Sequence, residues 1–235
     1  NSSTTRDEGT GEAGSQTAAL LYAGTPATTN TEAFDGTSWS EQANRALNKS
    51  EIGYAGSQTA ALSCGGNPVV ANTEEYNKSI NVITAGAWAA GGAIPTSKRD
   101  GYVGSIGTVT AGLAYGGEPI NSETYEYNGS TWAEGGDLGT GVRFAGGVGT
   151  QTAAGAAGGN ASVGFSAYAG YQTYDGSSWS EQPDLNTARS NAASAGTTTS
   201  AVAFGGSVPG ASAAVEEYSS SSWTSVTSMP AVRSF

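Results

Sequence analysis

The chain has 235 residues, 36 of them glycine, and its 9 Lys+Arg against 20 Asp+Glu give a net charge of −11. With no histidine and one cysteine, His-based triads, His-ligated metals, intramolecular disulfides and Cys-built zinc sites are excluded. The acidic balance argues against a nucleic-acid footprint, and no apolar run approaches the roughly 20 residues of a membrane helix.

Charged residues make up only 12%, but 5 Trp, 11 Tyr and 5 Phe are spaced regularly, unlike a disordered chain. The spacing predicts five repeated units. The first runs from Arg6 through Gly14-Ser15-Gln16-Thr17-Ala18, a glycine step at Ala23-Gly24 and Glu32-Ala33-Phe34-Asp35 to Trp39. Within it, Gly9 to Gly14 spells G-x-G-x-x-G, but neither the preceding strand nor the following helix of a dinucleotide cradle is present. The second unit repeats the order with Lys49 at the Arg position, Gly56-Ser57-Gln58-Thr59-Ala60, Gly65-Gly66, Glu74-Glu75-Tyr76-Asn77 and Trp88. Lys78 to Ala87 reads as an insertion between its Tyr and Trp strands. The third follows from Arg99 through Gly107 to Ala111, Gly116-Gly117 and Tyr125-Glu126-Tyr127-Asn128 to Trp132. The fourth has Arg143, Gly149 to Ala153, Gly158-Gly159, Gln172-Thr173-Tyr174-Asp175 and Trp179, with an insertion from Asn160 to Tyr171. The fifth has Arg189, Gly196 to Ser200, Gly205-Gly206, Glu216-Glu217-Tyr218-Ser219 and Trp223. From Gly14 to Gly196 is 182 residues over four intervals, a mean period of 45.5.

Each unit reads as four short strands. Asp35-Gly36, Asn128-Gly129 and Asp175-Gly176 are two-residue hairpin signals in which both residues take positive φ. The small-residue stretches Ala153 to Ala157 and Ala201 to Phe204 suit a strand near the axis of a radial assembly. A four-stranded unit of this period predicts an all-β, five-bladed β-propeller. Its single domain spans 1–235, with blades at about 6–45, 46–95, 96–138, 139–185 and 186–230. Met229-Pro230 and Arg233 restart the pattern at the end. A closed ring is expected, since an open stack would leave two apolar sheet faces exposed. Beginning at Asn1, the chain reads as a processed product or a piece of a longer one.

The order of Arg, strand, Gly-Gly, Tyr-Asp, Trp and Met-Pro resembles the kelch repeat, clearest from Arg189 to Met229-Pro230. The Gly-His and Trp-Asp signatures of WD40 propellers are absent. The near-uniform Gly-Thr-Gln-Thr-Ala-Ala units resemble kelch-like repeats of phage structural and tail-fibre proteins and of bacterial surface proteins. That resemblance implies a non-enzymatic structural or adhesion module of a virion or cell surface. Its partners would be other virion or surface proteins and glycans, with no cofactor and a homo-oligomer open. A lectin-like propeller is the alternative, and a carboxylate-based glycan hydrolase a weaker one. Copper oxidases built on kelch blades need His ligands, which this chain lacks.

Three sets of residues are candidates for chemistry. Arg6, Arg99, Arg143 and Arg189 either ring an anion-binding channel mouth or tie blades together through carbonyls and acids. Asn160, Phe165, Tyr168 and Tyr171 in the fourth-unit insertion either stack on sugar rings or pack on their own blade. Glu32, Glu74, Glu75, Glu126, Glu216 and Glu217 recur once per unit. They suggest a solvated outer face, with an acid/base pair as the competing reading. Cys64 is expected to pack inside an inner strand. The sequons at Asn1, Asn48, Asn77, Asn128 and Asn160 matter only in a secretory setting.

Overall fold

The computed structural model describes residues 10–50, 52–67, 71–78, 87–96, 104–162, 166–207 and 210–233. Arg6, Arg99, Phe165 and most of the Lys78 to Ala87 insertion lie outside these residues, as does the segment on which ring closure turned. Among the described residues there are twenty strands and no helix, so none is long and apolar enough to cross a membrane.

The strands form five four-stranded antiparallel sheets, each built in chain order, in a propeller arrangement. The first holds β1 (Thr10–Ser15), β2 (Ala18–Ala23), β3 (Thr31–Phe34) and β4 (Trp39–Glu41). The second holds β5 (Gly53–Ser57), β6 (Ala60–Cys64), β7 (Thr73–Asn77) and β8 (Ala87–Ala90). The third holds β9 (Gly104–Thr108), β10 (Ala111–Tyr115), β11 (Thr124–Tyr127) and β12 (Trp132–Glu134). The fourth holds β13 (Gly146–Thr150), β14 (Ala153–Ala157), β15 (Tyr171–Tyr174) and β16 (Trp179–Gln182). The fifth holds β17 (Ala193–Gly196), β18 (Ser200–Phe204), β19 (Val215–Ser219) and β20 (Trp223–Val226). Two compact units share them. One contains the first two sheets with Gly107–Gly112 and Tyr127–Ala133, the other the rest of the third sheet and the last two.

The first strands of neighbouring sheets are the ones that meet, β1 with β5 in one unit and β13 with β17 in the other. The axial strand is therefore the first of each sheet. The small-residue segment Ala153–Ala157, expected nearest the axis, is instead the second strand of its sheet. At Gly155 the small size has another cause. A Cβ on Gly155 would lie 2.6 Å from the Tyr171 hydroxyl oxygen and 2.8 Å from the Tyr171 ring. In the first sheet the aromatic sits on the second strand, where Tyr22 pairs with Thr31. In the fourth sheet the two positions are exchanged, and Ala157 pairs with Tyr171. Both hydroxyls reach the same kind of target, a backbone carbonyl of the next sheet: Tyr22 donates to Leu62 O at 3.0 Å and Tyr171 to Thr198 O at 3.1 Å.

Each sheet has two faces, following the period-two alternation of its strands. A forward face meets the following sheet, and a rear face meets the preceding one. Leu20, Tyr22 and Ala33 of the first forward face pack on Ala61 and Tyr76 of the second rear face. Leu62 packs on Tyr127 in the same way, Leu113 and Tyr115 on Ala154, Ala156 and Tyr174, and Tyr171 on Ala201, Ala203 and Tyr218. Each rear face combines small residues with one tyrosine, so the side chains of the two faces interdigitate.

The glycine step is reproduced even where alanine replaces glycine. Gly65, Gly116, Gly158 and Gly205 have φ of 65°, 62°, 67° and 69°, and Ala23 adopts 60°. The backbone path is thus imposed by the sheet, at a strain of roughly 1–2 kcal/mol for a non-glycine residue. The turn joining the third and fourth strands differs from the expected two-residue hairpin. Residues 35–38 form a four-residue loop, closed by Asp35 N donating to Ser38 O at 3.2 Å. The Asp35 carboxylate accepts from Thr37 N and Ser38 N, both at 2.8 Å, and only Gly36 takes positive φ, at 95°. Asn128 and Asp175 cap equivalent loops. The side chain, free to accept two N–H groups in this conformation, selects the longer turn.

Candidate functional site

The recurring charged residues converge inside each sheet, where the connection entering its first strand crosses the third strand. In the fifth sheet the Glu216 carboxylate accepts from Asn186 N at 2.7 Å and Thr187 N at 3.2 Å. The Arg189 guanidinium meets the same carboxylate at 2.5 Å. Its Nη1 donates to Gly205 O and Ala214 O at 3.1 and 3.0 Å. Both side chains are buried, Arg189 at 0% exposure and Glu216 at 1%. Arg189 therefore fixes the incoming chain to its own sheet, and its guanidinium does not face solvent as an anion-binding ring requires.

The other sheets solve the same problem with different residues. In the second, Glu74 accepts from Ala46 N at 2.9 Å and Leu47 N at 3.3 Å. Its cation is Arg45, which donates to Glu74 at 2.7 Å and to Ser63 Oγ at 3.0 Å. Arg45 was not expected to matter. Its backbone N–H donates to Thr29 O as Leu185 N does to Ala169 O, so a charged residue occupies what is an apolar position in the fourth unit. Lys49, at the Arg189 position, is buried, and its Nζ has no hydrogen-bond partner. Burial first, and the nearby Arg45 second, bring its pKa down to about 8. In the fourth sheet Gln172 replaces the carboxylate. It accepts from Thr140 N at 3.2 Å and donates to Thr140 O at 3.0 Å. The position of Arg189 is there taken by Val142, as the matching bonds Gly117 N to Val142 O and Gly159 N to Arg189 O establish. An amide needs no counter-charge, so an apolar residue suffices.

Arg143 falls one residue later, in the Arg143↔Asn160 bridge, where Ser190 bridges Ser207. Its guanidinium is almost fully buried and pairs with Glu118. Asn160, 1% exposed, donates its side-chain amide to Ser166 O at 2.9 Å. Tyr171 is fully buried and stacks edge-on against Tyr218 and Trp223 at 4.9 and 5.3 Å. Tyr168 is half-buried on the cluster of Tyr115, Leu138 and Tyr174, and its ring covers Gly170. The structure thus brings Arg143 and Asn160 together, but it does not present Asn160, Tyr171 or Arg189 to a ligand. Arg189 and Asn160 are taken up by neighbouring parts of their own units, and Tyr171 by the following sheet.

The expectation of a solvated glutamate face holds for Glu217, which is exposed, and is corrected for the others. Glu32, Glu74 and Glu216 are 1–3% exposed. The neighbouring position, Glu75 or Glu126, instead accepts from a tyrosine of the next sheet: Tyr127 OH donates to Glu75, and Tyr174 OH to Glu126 at 2.6 Å. Burial, and then the adjacent Glu126, push the Tyr174 phenol up to about 12. Where that acid is absent, the tyrosine turns to a glutamine at the end of the fourth strand. Tyr76 donates to Gln42 at 3.2 Å and Tyr218 to Gln182 at 3.5 Å. The choice is read directly in the residues. Gly91 and Gly135 stand where Gln42 and Gln182 do, and a Cβ there would come within 2.8 Å of the Tyr127 hydroxyl and 2.6 Å of the Tyr174 hydroxyl.

Cys64 is buried, as expected, and burial pushes its thiol up to about 12. Among the described residues no group of three or more His, Cys, Asp or Glu is placed to hold a metal. The described residues also form open grooves. One, of about 440 Å³, lies between the fourth and fifth sheets and is lined by Thr152, Thr173, Asp175, Gln182, Thr198 and Tyr218. Another, of about 670 Å³, is more apolar and is lined in part by Ala19, Leu21, Phe34, Trp39 and Tyr54.

No family model matches the chain, and no curated protein does. Among solved structures it is similar to the one described as "Structure of YjhT", with a TM-score of 0.78 and 12% identity. The likeness covers 100% of this chain and 87% of that one. At such identity what is shared is the fold, and the fold is a β-propeller of four-stranded blades.

Proposed function

We propose that the chain is a non-enzymatic structural or adhesion module of a virion or cell-surface assembly, a kelch-like propeller of the kind found in phage tail fibres. The observation that supports this is how the repeat spends its polar groups. The buried charges of the second and fifth sheets hold backbone, whereas the exposed turns present one stiff loop several times over. Asp35, Asn128 and Asp175 each lock such a loop through two backbone N–H groups. Identical rigid loops on a fixed scaffold favour many weak contacts acting together, the regime of avidity. The reading is tested by a broad glycosidase and esterase screen together with the gene neighbourhood. Neighbouring tail, capsid or surface-assembly genes and no turnover are expected, and turnover abolished by a groove substitution overturns it.

A glycan-binding reading has one observation in its favour, the hydroxyl- and amide-lined groove of about 440 Å³ between the fourth and fifth sheets. Its groups are of the type that fix sugar hydroxyls, with Tyr218 as an aromatic wall. A glycan array separates the two. Binding that Thr173→Trp abolishes supports the lectin, and an array without signal removes it.

A further inference from the structure

Three loops of one build join a third strand to a fourth, and one of them differs in its chemistry. They open with Asp35-Gly36, Asn128-Gly129 and Asp175-Gly176, and Asn128-Gly129 is the only Asn-Gly step of the chain. The three glycines share one conformation, with φ of 95°, 94° and 93°. Asn128, Ser130 and Thr131 are exposed, so water reaches the loop. Asn128 Oδ1 accepts from Ser130 N at 3.0 Å, Thr131 N at 2.9 Å and Ser130 Oγ at 3.1 Å. Asn128 Nδ2 donates to Thr131 Oγ1 at 3.1 Å. Two backbone N–H groups and a hydroxyl on one carbonyl oxygen are the donor set of an oxyanion hole, which acts where negative charge develops in a reaction. A second hydroxyl stands at the nitrogen that would leave. The Gly129 nitrogen follows directly in the chain, on a residue with no side chain to obstruct its approach to Asn128 Cγ.

We propose that Asn128 is a self-modifying site, where the loop promotes deamidation through a cyclic imide and returns an aspartate like Asp35 and Asp175. This goes beyond the attachment reading and does not depend on it.

Gly129 N gives its proton to solvent base and bonds to Asn128 Cγ, and the carbonyl electron pair moves to Oδ1, where the three donors hold it. Collapse of the adduct breaks the Cγ–Nδ2 bond. The departing nitrogen takes a proton from the Thr131 hydroxyl, which recovers one from solvent, and leaves as ammonia. Water then opens the imide. The Ser130 and Thr131 N–H groups still polarise the Cγ carbonyl, so water adds there, the bond from Cγ to Gly129 N breaks, and an ordinary aspartate results. Opening at the backbone carbonyl instead gives isoaspartate, whose extra main-chain methylene does not fit a loop closed by Asn128 N donating to Thr131 O at 3.2 Å. In sum, an amide and a water become a carboxylate and an ammonium ion. The product resists a second cycle. In the sister loops, backbone hydrogen bonds, led by those from Ser38 N and Ser178 N, hold the Asp35 and Asp175 carboxyls below the usual carboxylate range. An ionised carboxylate is not attacked by a peptide nitrogen, so the change runs one way.

The test incubates the freshly purified chain, folded in buffer and unfolded in guanidinium, at one mildly alkaline pH. Peptide mass spectrometry follows residue 128 over time, and an Asp-specific protease with isoaspartyl methylation separates the two products. Deamidation is expected to be severalfold faster in the folded chain, with aspartate prevailing there and isoaspartate in the unfolded one. Ser130→Ala removes a donor to Oδ1, and Thr131→Val removes the hydroxyl at Nδ2. Each is expected to slow the folded-state reaction by about threefold to tenfold, the worth of one hydrogen bond, measured against the same variant unfolded. Thr131→Ser returns the hydroxyl and is expected to restore the rate, which a role in packing alone would not do. A folded chain that deamidates no faster than the unfolded one overturns the proposal. So do a folded-state product in which isoaspartate prevails, and rates unmoved by both Ser130→Ala and Thr131→Val.

Discussion

Replacing Glu216 by Gln removes one charge from a buried pair and alters little else. The amide oxygen can still accept from Asn186 N and Thr187 N, now at 2.7 and 3.2 Å from the carboxylate. The Arg189 guanidinium keeps the carbonyls of Gly205 and Ala214 but loses its salt bridge to Glu216 at 0% exposure. Leaving a buried charge uncompensated costs about 3–5 kcal/mol. For a chain of this size that is a fall in Tm of about 10 °C. The fourth sheet shows how the loss is offset, since Gln172 there faces Val142 in place of an arginine. Glu216→Gln combined with Arg189→Val copies that arrangement and leaves no stranded charge. The double variant should therefore be less destabilised than the sum of the singles, with a coupling of about 2–3 kcal/mol. Guanidinium unfolding followed by tryptophan fluorescence, with unchanged m-values, gives the numbers. A single-variant cost under about 1 kcal/mol, or singles that simply add to within about 0.5 kcal/mol, refutes the assignment of the pair as a mutually dependent clamp.

Two further outcomes follow from the same packing. Lys49 is held with a lowered pKa, about 8 against 10.5. Below pH 8 both folded and unfolded chains carry its proton, and the folded one bears the cost. Between pH 8 and 10 the unfolded chain binds more protons, so the Lys49 contribution to stability rises there, by up to about 3 kcal/mol in full. Lys49→Met should stabilise the protein at pH 7 and flatten that rise, and a variant less stable than wild type at pH 7 contradicts the burial argument. Gly149 has φ of 95°, and a Cβ there would sit 2.0 Å from the Ala153 carbonyl oxygen. Gly149→Ala should cost more than about 2 kcal/mol; a melting temperature within 2 °C of wild type means that the hairpin does not need this conformation.

The repeat, its phase and the four-stranded blade were legible in the order of residues, because glycine, Asp-Gly or Asn-Gly and tryptophan act locally, through backbone conformation and strand alternation. The small second strand was visible too, but its cause was not. Gly155 has no side chain because Tyr171 lies across it, and Ala154 and Ala156 pack on Leu113 and Tyr115 of the preceding sheet; no local rule connects these residues. The arginine series misled for a similar reason. Lys49, Arg143 and Arg189 look like variants of one motif position, yet Arg143 falls one residue late and the Lys49 Nζ has no hydrogen-bond partner, while the cation that meets Glu74 is Arg45, outside the series and at a leucine position. Only the placement of Glu74, Gln172 and Glu216 beneath the incoming chain tells which cation is needed. The same holds for Glu74, Glu75, Glu126 and Glu216, assigned to solvent on spacing and found holding backbone or the tyrosines of the next sheet, whereas Glu217 is exposed as expected. Spacing along a strand gives the face a side chain takes. Whether that face meets water or another sheet depends on contacts between residues some 40–60 positions apart, such as Tyr127 with Glu75 and Tyr174 with Glu126, and it is there that burial and charge are settled.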